Sequence, residues 1–123
     1  MPQVFYFKDE AGRVPFLDWF YGLPEKTREP VSVRLERLAE LGHLLRRPEA
    51  DYLRDGLYEL RVSRQGIHHR VLYFFHGRTA VVVTQGLEKE SQVPDREIEL
   101  ALRRKTRFES DPQRHTHLKE GDQ

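Results

Sequence analysis

The sequence predicts an α+β domain: a small antiparallel meander sheet with an N-terminal strand added, two N-terminal helices packed on one face, and a C-terminal helix. Three observations predict this class. Three β-rich runs follow one another, with short glycine-bearing connections that favour hairpins: Leu57–Val62, Ile67–Phe75 and Thr79–Gln85. Two segments before these runs carry apolar residues at helical spacing, and one segment after them does the same.

The N-terminal part supplies one strand and two helices. Residues Val4–Phe7 form a short aromatic strand. Pro15 suits the first position of a helix whose apolar face is Phe16, Trp19, Phe20 and Leu23. A second helix is predicted to begin near Thr27, because Pro30 is tolerated only in a first turn. Its stripe consists of Val31, Leu35, Leu38, Leu41 and Leu45.

The central runs are predicted to alternate their side chains across the sheet. Tyr58, Leu60 and Val62 share one face, and Glu59 and Arg61 share the other. In the next strand the same alternation sets Val71, Tyr73 and Phe75 against His68, Arg70, Leu72 and Phe74. Burying Arg61 and Arg70 in a central sheet is costly unless their face is solvated or contacts an anion. Their presence there is therefore the first indication of a functional site.

The remaining segments are an irregular connection, a third helix and a polar tail. Arg46–Asp55 is predicted as the connection that leads into the meander. Pro94 opens a helix over Asp95–Phe108, with acids in its first turn, where the helix dipole favours them. From Ser110 the composition cannot bury a core, which predicts a domain over residues 1–109 and a disordered tail over residues 110–123.

Length and composition exclude several classes of protein. A chain of 123 residues holds one domain, and zero cysteines exclude disulfides, thiolate chemistry and cysteine-based zinc sites. No apolar run is long enough for a membrane span and the start lacks a signal pattern, so we expect a cytoplasmic protein without a membrane partner. The net charge of +1 does not by itself indicate a nucleic-acid partner, so the argument for one depends on basic residues that cluster locally.

The ordered set L-R-D-G-L-Y-E-L-R-V, H-R-V-L-Y-F-F and Q-G-L-E-K-E-S-Q-V-P resembles the HigB-type toxins of the RelE/ParE superfamily, in their phage-derived branch. The likeness runs from Val4 to about Phe108. It implies a RelE-like fold and a metal-independent endoribonuclease that cleaves mRNA on the ribosome and needs no cofactor. It also implies silencing by a cognate antitoxin, of the helix-turn-helix HigA-like type, in a type II toxin–antitoxin system.

Cleavage of RNA without a metal requires charge stabilisation at the scissile phosphate, which guanidinium and ammonium groups provide best. Arg61 and Arg70 lie on neighbouring strands and face the same way, and Lys89 lies in the loop predicted to return beside them. These three are the predicted catalytic cations. Glu59 and His68, with Lys89, are the candidates for proton transfer. His68 and His69 alternate faces, so at most one of them reaches the site.

Other roles for these residues stay open. Arg61 can simply pair with Glu59, and an exposed strand histidine is an ordinary feature. Arg64 and Arg78, in the turns, are candidate ribosomal-RNA contacts or solubilising charges.

Two departures from the family pattern bear on activity. The usual Lys-Lys pair of the last loop is here Lys89-Glu90, preceded by Glu88, and acids weaken attraction for phosphate. Val93 replaces a threonine that commonly caps the third helix, which forfeits about 1 kcal/mol. Two alternatives to cleavage therefore remain: a ParE-like inhibitor that binds DNA gyrase, and a degenerate domain that binds only its antitoxin.

Overall fold

The computed structural model describes residues 2–89 and 91–118. Within them the chain forms a six-stranded mixed sheet and three α-helices, which confirms the α+β prediction. The strands are β1 (Gln3–Phe7), β2 (Ala50–Arg54), β3 (Leu57–Arg64), β4 (Ile67–His76), β5 (Ala80–Glu88) and β6 (Thr116–Leu118). The helices are α1 (Pro15–Tyr21), α2 (Glu25–Leu41) and α3 (Asp95–Ser110). None of these helices has the length and apolar character needed to cross a membrane.

The sheet order is β2-β3-β4-β5-β1-β6. The predicted meander is confirmed, since β3, β4 and β5 pair in antiparallel fashion, and β1 joins it parallel to β5. The Asp55-Gly56 turn has positive φ at both residues, the geometry of tight two-residue hairpins, and it joins β2 to β3.

The two faces of the sheet bury different helices. On one face α1 and α2 pack on apolar residues of the meander and of β1, including Val4, Tyr6, Leu60, Val62, Val71 and Tyr73. On the other face α3 packs on Leu57, Leu72 and Phe74 through Ile98, Ala101 and Phe108. The C-terminal helix thus covers only the apolar end of the face that carries Arg61 and Arg70.

A glycine sets the approach of α1 to the sheet. The ring of Trp19 lies against Gly86 of β5, and a Cβ atom at that position would come within 2.2 Å of Trp19 Cε3. Because real side chains never approach so closely, only glycine fits here. Trp19 also meets the buried His69 edge-on, with 6.1 Å between ring centroids.

The second helix begins earlier than predicted, at Glu25, so that Pro30 lies inside it. Leu45 is buried as the stripe predicted, but it lies beyond the helix, after a short 3₁₀ turn at Gly42–Leu44. Before α3, Pro94 occupies the cap position without a side-chain cap, and Val93 is buried in one cluster with Ile98. An apolar pair at these two positions is a hydrophobic staple, so Val93 fixes the entry of the helix by packing.

Two predictions about irregular segments are wrong. The connection Arg46–Asp55 contains the strand β2, which pairs with β3. The tail predicted to be disordered from Ser110 is ordered through Leu118: α3 extends to Ser110, and β6 pairs antiparallel with β1. The buried ring of His115 stacks on Phe7 and its Nδ1 donates to the Lys8 carbonyl at 2.7 Å. The segment is held by the backbone hydrogen bonds of β6 and by one buried ring, and neither feature can be read from its composition. Residues 119–123 lie outside the described residues.

Candidate functional site

The site is built on a direct pairing of two arginines. In the register of β3 and β4, Arg61 is opposite Arg70, and both side chains point to the face that α3 covers in part. Like charges directly opposite one another are destabilising, so this pair needs an anion. Glu59, two residues before Arg61, provides it: its side chain is 7% exposed and its carboxylate touches both guanidinium groups.

The Glu59 carboxylate holds the two arginines unequally. Arg61 donates from Nε and Nη2 to Glu59 Oε2 at 3.1 and 2.9 Å. Arg70 Nε lies 2.9 Å from Glu59 Oε1 without hydrogen-bond alignment, and within the described residues both atoms are buried and lack a hydrogen-bond partner. Arg70 Nη2 donates to the Ser91 carbonyl at 3.3 Å. Since buried polar atoms are normally paired, the Arg70 side of the cluster has unused capacity for hydrogen bonds.

A second acid, Asp51 on β2, completes the cluster at the edge of the sheet. Arg61 Nη2 donates to Asp51 Oδ2 at 3.1 Å, and Arg47 Nε reaches the same oxygen at 3.0 Å. The hydrogen bond from Arg47 holds the pKa of Asp51 below its usual range. Arg34 of α2 donates to the Arg61 carbonyl at 2.7 Å, which fixes the strand from the other face. The guanidinium groups of Arg47, Arg61 and Arg70 thus surround the carboxylates of Asp51 and Glu59.

His68 continues the same face at the open end of β4. It is opposite Ser63 in the register, and Ser63 Oγ lies 2.8 Å from His68 Nδ1. That bond engages Nδ1, and among the described residues no group bonds Nε2. His69 points to the other face, as alternation predicted, where burial lowers its pKa.

The structure places Lys89 directly after β5, where its backbone N–H donates to the His68 carbonyl at 2.9 Å. Its exposed side chain lines a shallow surface depression together with Gly66, Ile67, His68, Glu88 and Ser91. Lys89 is therefore beside His68, and Glu88 lies in the same depression. Glu90 lies outside the described residues.

The predicted RNA-contacting arginines are not part of this cluster. Arg64 ends β3 and by alternation faces away from Arg61. Arg78 lies in the β4–β5 turn, beyond the far end of β4, about 20 Å from Arg70 by the rise of a strand. Across residues 2–89 and 91–118, no group of three or more His, Asp or Glu side chains is placed to hold a metal ion.

Sequence reasoning missed Asp51 and Ser63. The signal for Asp51 was present in Asp55-Gly56, because a tight hairpin turn requires a strand on each side and so predicts one before it. Ser63 could have been found from the register, since it lies as far before the Gln65-Gly66 turn on β3 as His68 lies after it on β4.

A family model described as "Phage derived protein Gp49-like (DUF891)" matches residues 18–106. That span begins in α1, ends in α3, and includes Asp51, Glu59, Arg61, Ser63, His68, Arg70 and Lys89. A search of the curated proteins gave no match.

Proposed function

Since the chain belongs to the phage-derived Gp49-like family, part of the RelE/HigB-like toxin superfamily, we propose that it is the toxin of a type II toxin–antitoxin system, with a RelE-like fold, and that it cleaves mRNA on the ribosome. Its partners are then an antitoxin, of the HigA-like helix-turn-helix type, the ribosome and mRNA. The observation that carries the proposal is the pairing of Arg61 with Arg70 around a buried carboxylate that leaves hydrogen bonds unmet.

In the proposed reaction a base takes the proton of the 2′-hydroxyl, whose oxygen attacks the adjacent phosphorus. The bond to the 5′-oxygen breaks, that oxygen takes up a proton, and negative charge builds on the phosphoryl oxygens in the transition state. Arg61 and Arg70 stabilise that charge, since guanidinium groups bind phosphate oxygens in charge-assisted pairs. His68, whose Nδ1 is engaged by Ser63, offers Nε2 for proton transfer, and Glu59 is the alternative acceptor. Lys89 adds a cation beside His68.

The resting contacts of the arginines favour a substrate that the ribosome holds in place. A phosphate must replace Glu59 and Asp51 at guanidinium groups that are already paired. Free RNA competes poorly for such sites, because each contact that it gains costs an existing ion pair. A ribosome supplies the required orientation by fixing the mRNA before it meets the cluster.

The same contacts favour a second candidate function, in which the domain only binds its antitoxin. Arg61 donates to two carboxylates at once, and Arg70 is 12% exposed. Arginines held in this way can be purely structural, and the acid Glu88 beside Lys89 lowers the attraction for phosphate further.

The test is to map mRNA 5′ ends after brief induction in cells, for the parent, for His68→Gln and for His117→Gln, the last on the edge strand β6. We expect new ends inside translated frames of a reporter, which disappear when its start codon is removed. His68→Gln is expected to reduce them at least tenfold, and His117→Gln to leave them unchanged. Growth arrest without cleavage would contradict the nuclease, and a parent that causes neither growth arrest nor cleavage would favour the second candidate.

A further inference from the structure

A second cavity lies at the edge of the sheet, near the cluster of Arg61 and Glu59. It has a volume of about 520 Å³, within the range of small-ligand pockets. It is bounded by the 3₁₀ turn, the loop before β2 and the strands β2 and β3, and its lining includes His43, Arg46, Arg47, Asp51, Tyr52 and Tyr58. Neither the proposed reaction nor the packing of the core uses this cavity.

The cavity presents aromatic rings that are held in place. Tyr52 is 53% exposed, yet its hydroxyl accepts the Gly56 N–H at 3.0 Å and its ring meets Tyr58 edge-on. His43 is stacked on Phe75 with 3.5 Å between ring centroids. An exposed ring that is fixed at its hydroxyl gives a rigid flat surface, which a planar ligand can cover without ordering the side chain.

The rim of the cavity is basic. Arg46 is exposed, and its guanidinium group makes no hydrogen bond or ion pair to any other described residue. Arg47 pairs with Asp51 through Nε, and its side chain is 76% exposed, so most of it faces solvent. Aromatic surfaces combined with arginines are the usual means of binding single-stranded nucleic acid, because bases stack on rings while guanidinium groups pair with phosphates.

Asp51 joins the cavity to the cluster. Its carboxylate binds Arg47 at the rim and Arg61 on the other face, so the basic surface continues around the edge strand β2. A strand whose phosphate lies at Arg61 is therefore close enough to place a neighbouring nucleotide at the mouth of the cavity.

We propose that this cavity binds one unpaired nucleotide of a single-stranded RNA, with the base on Tyr52 and a phosphate at Arg46 and Arg47. The inference rests on the proposed function, because it places the nucleotide next to the one that is cleaved. The site would hold the substrate on one side of the cluster, and it takes no part in bond breaking.

The experiment uses the full chain and a fluorescein-labelled single-stranded RNA hexamer, with affinity measured by anisotropy at several salt concentrations. Stacking on one ring changes affinity by roughly 5- to 150-fold, so Tyr52→Leu is expected to weaken binding within that range and Tyr52→Phe to keep it within about threefold. Arg46→Gln is expected to lower the salt slope by about 0.7. The matched control is Arg13→Gln, which removes the same charge from a separate surface depression.

The position is checked by crosslinking the same hexamer carrying 4-thiouridine and mapping the attached peptide, which we expect to contain Tyr52. Parental affinity in Tyr52→Leu, or crosslinks confined to other segments, would overturn the site whether or not the protein cleaves mRNA. Binding that depends on Tyr52 in a protein that cleaves nothing would support the site and refute the nuclease instead. Melting temperatures within about 2 °C of the parent establish that each variant is folded.

Discussion

Replacing Arg70 by methionine is expected to reduce both stability and activity, because this arginine belongs to the fold as well as to the site. Its side chain is 12% exposed, and it lies against Glu59, which is 7% exposed. Breaking a buried ion pair typically costs about 3 to 5 kcal/mol, since one charge is left uncompensated. In Arg70→Met, Glu59 remains paired with Arg61, and methionine replaces the apolar part of the arginine side chain. We therefore expect the free energy of unfolding to fall by about 1 to 3 kcal/mol.

That loss corresponds to a fall in melting temperature of roughly 5 to 15 °C for a domain of this size. Urea denaturation of Arg70→Met, Glu59→Gln and the double variant forms a cycle, and groups in contact typically couple by about 1 to 3 kcal/mol. Arg78→Met, an exposed arginine in the β4–β5 turn, is the control and should leave the midpoint unchanged.

Activity is measured in a translating extract at a temperature at which each variant is folded. Loss of a group that stabilises phosphoryl charge is expected to slow cleavage roughly a hundredfold or more. A parental rate in folded Arg70→Met refutes the catalytic role. If Arg70→Met is as stable as the parent, or if its coupling energy with Glu59→Gln is near zero, the structural role inferred from the contact between Arg70 and Glu59 is refuted.

Three further predictions concern the fold. Gly86→Ala is expected to lower the free energy of unfolding by about 1 to 3 kcal/mol in urea denaturation, because its methyl group would overlap the Trp19 ring. Adding the smaller side chain of Trp19→Leu should restore part of that loss, and a neutral effect of Gly86→Ala would contradict the packing. Burial lowers the pKa of His69, so the unfolded chain binds the proton first and stability should decline as pH falls from about 7 to about 5, whereas His69→Phe should show a weaker decline. Removing residues 111–123 should lower the melting temperature by more than about 5 °C, and an unchanged value would show that β6 contributes nothing.

The meander could be predicted because its signals are local. Each hairpin carries a glycine turn, and alternation along β3 and β4 assigns faces that the structure confirms. The shared face of Arg61 and Arg70 follows from that alternation once the hairpin is recognised. The apolar stripe of α3 was equally visible, since Ile98, Ala101 and Phe108 are all buried.

Contacts between distant segments could not be predicted in the same way. The edge strand β6 pairs with β1, more than a hundred residues earlier, through backbone groups that every residue possesses. Asp51 reaches Arg61 only because β2 pairs with β3. Whether an arginine is free or paired depends on such tertiary contacts, so the sequence predicted a phosphate site at a place where the structure shows an ion cluster.

Glu59 bears both on the stability of the resting protein and on the proposed binding of phosphate. Two arginines directly opposite each other repel, so the resting protein needs an anion beside them, and Glu59, two residues before Arg61 on β3, lies on their face of the sheet. A scissile phosphate presents the same charge and the same type of oxygen acceptor to the same donors. Because Glu59 hydrogen-bonds Arg61 but leaves Arg70 Nε without an aligned partner, a phosphate that displaces this carboxylate breaks hydrogen bonds at Arg61 and none at Arg70 Nε. If the proposed function is right, exchanging the carboxylate for a phosphate therefore costs fewer hydrogen bonds at Arg70 than at Arg61.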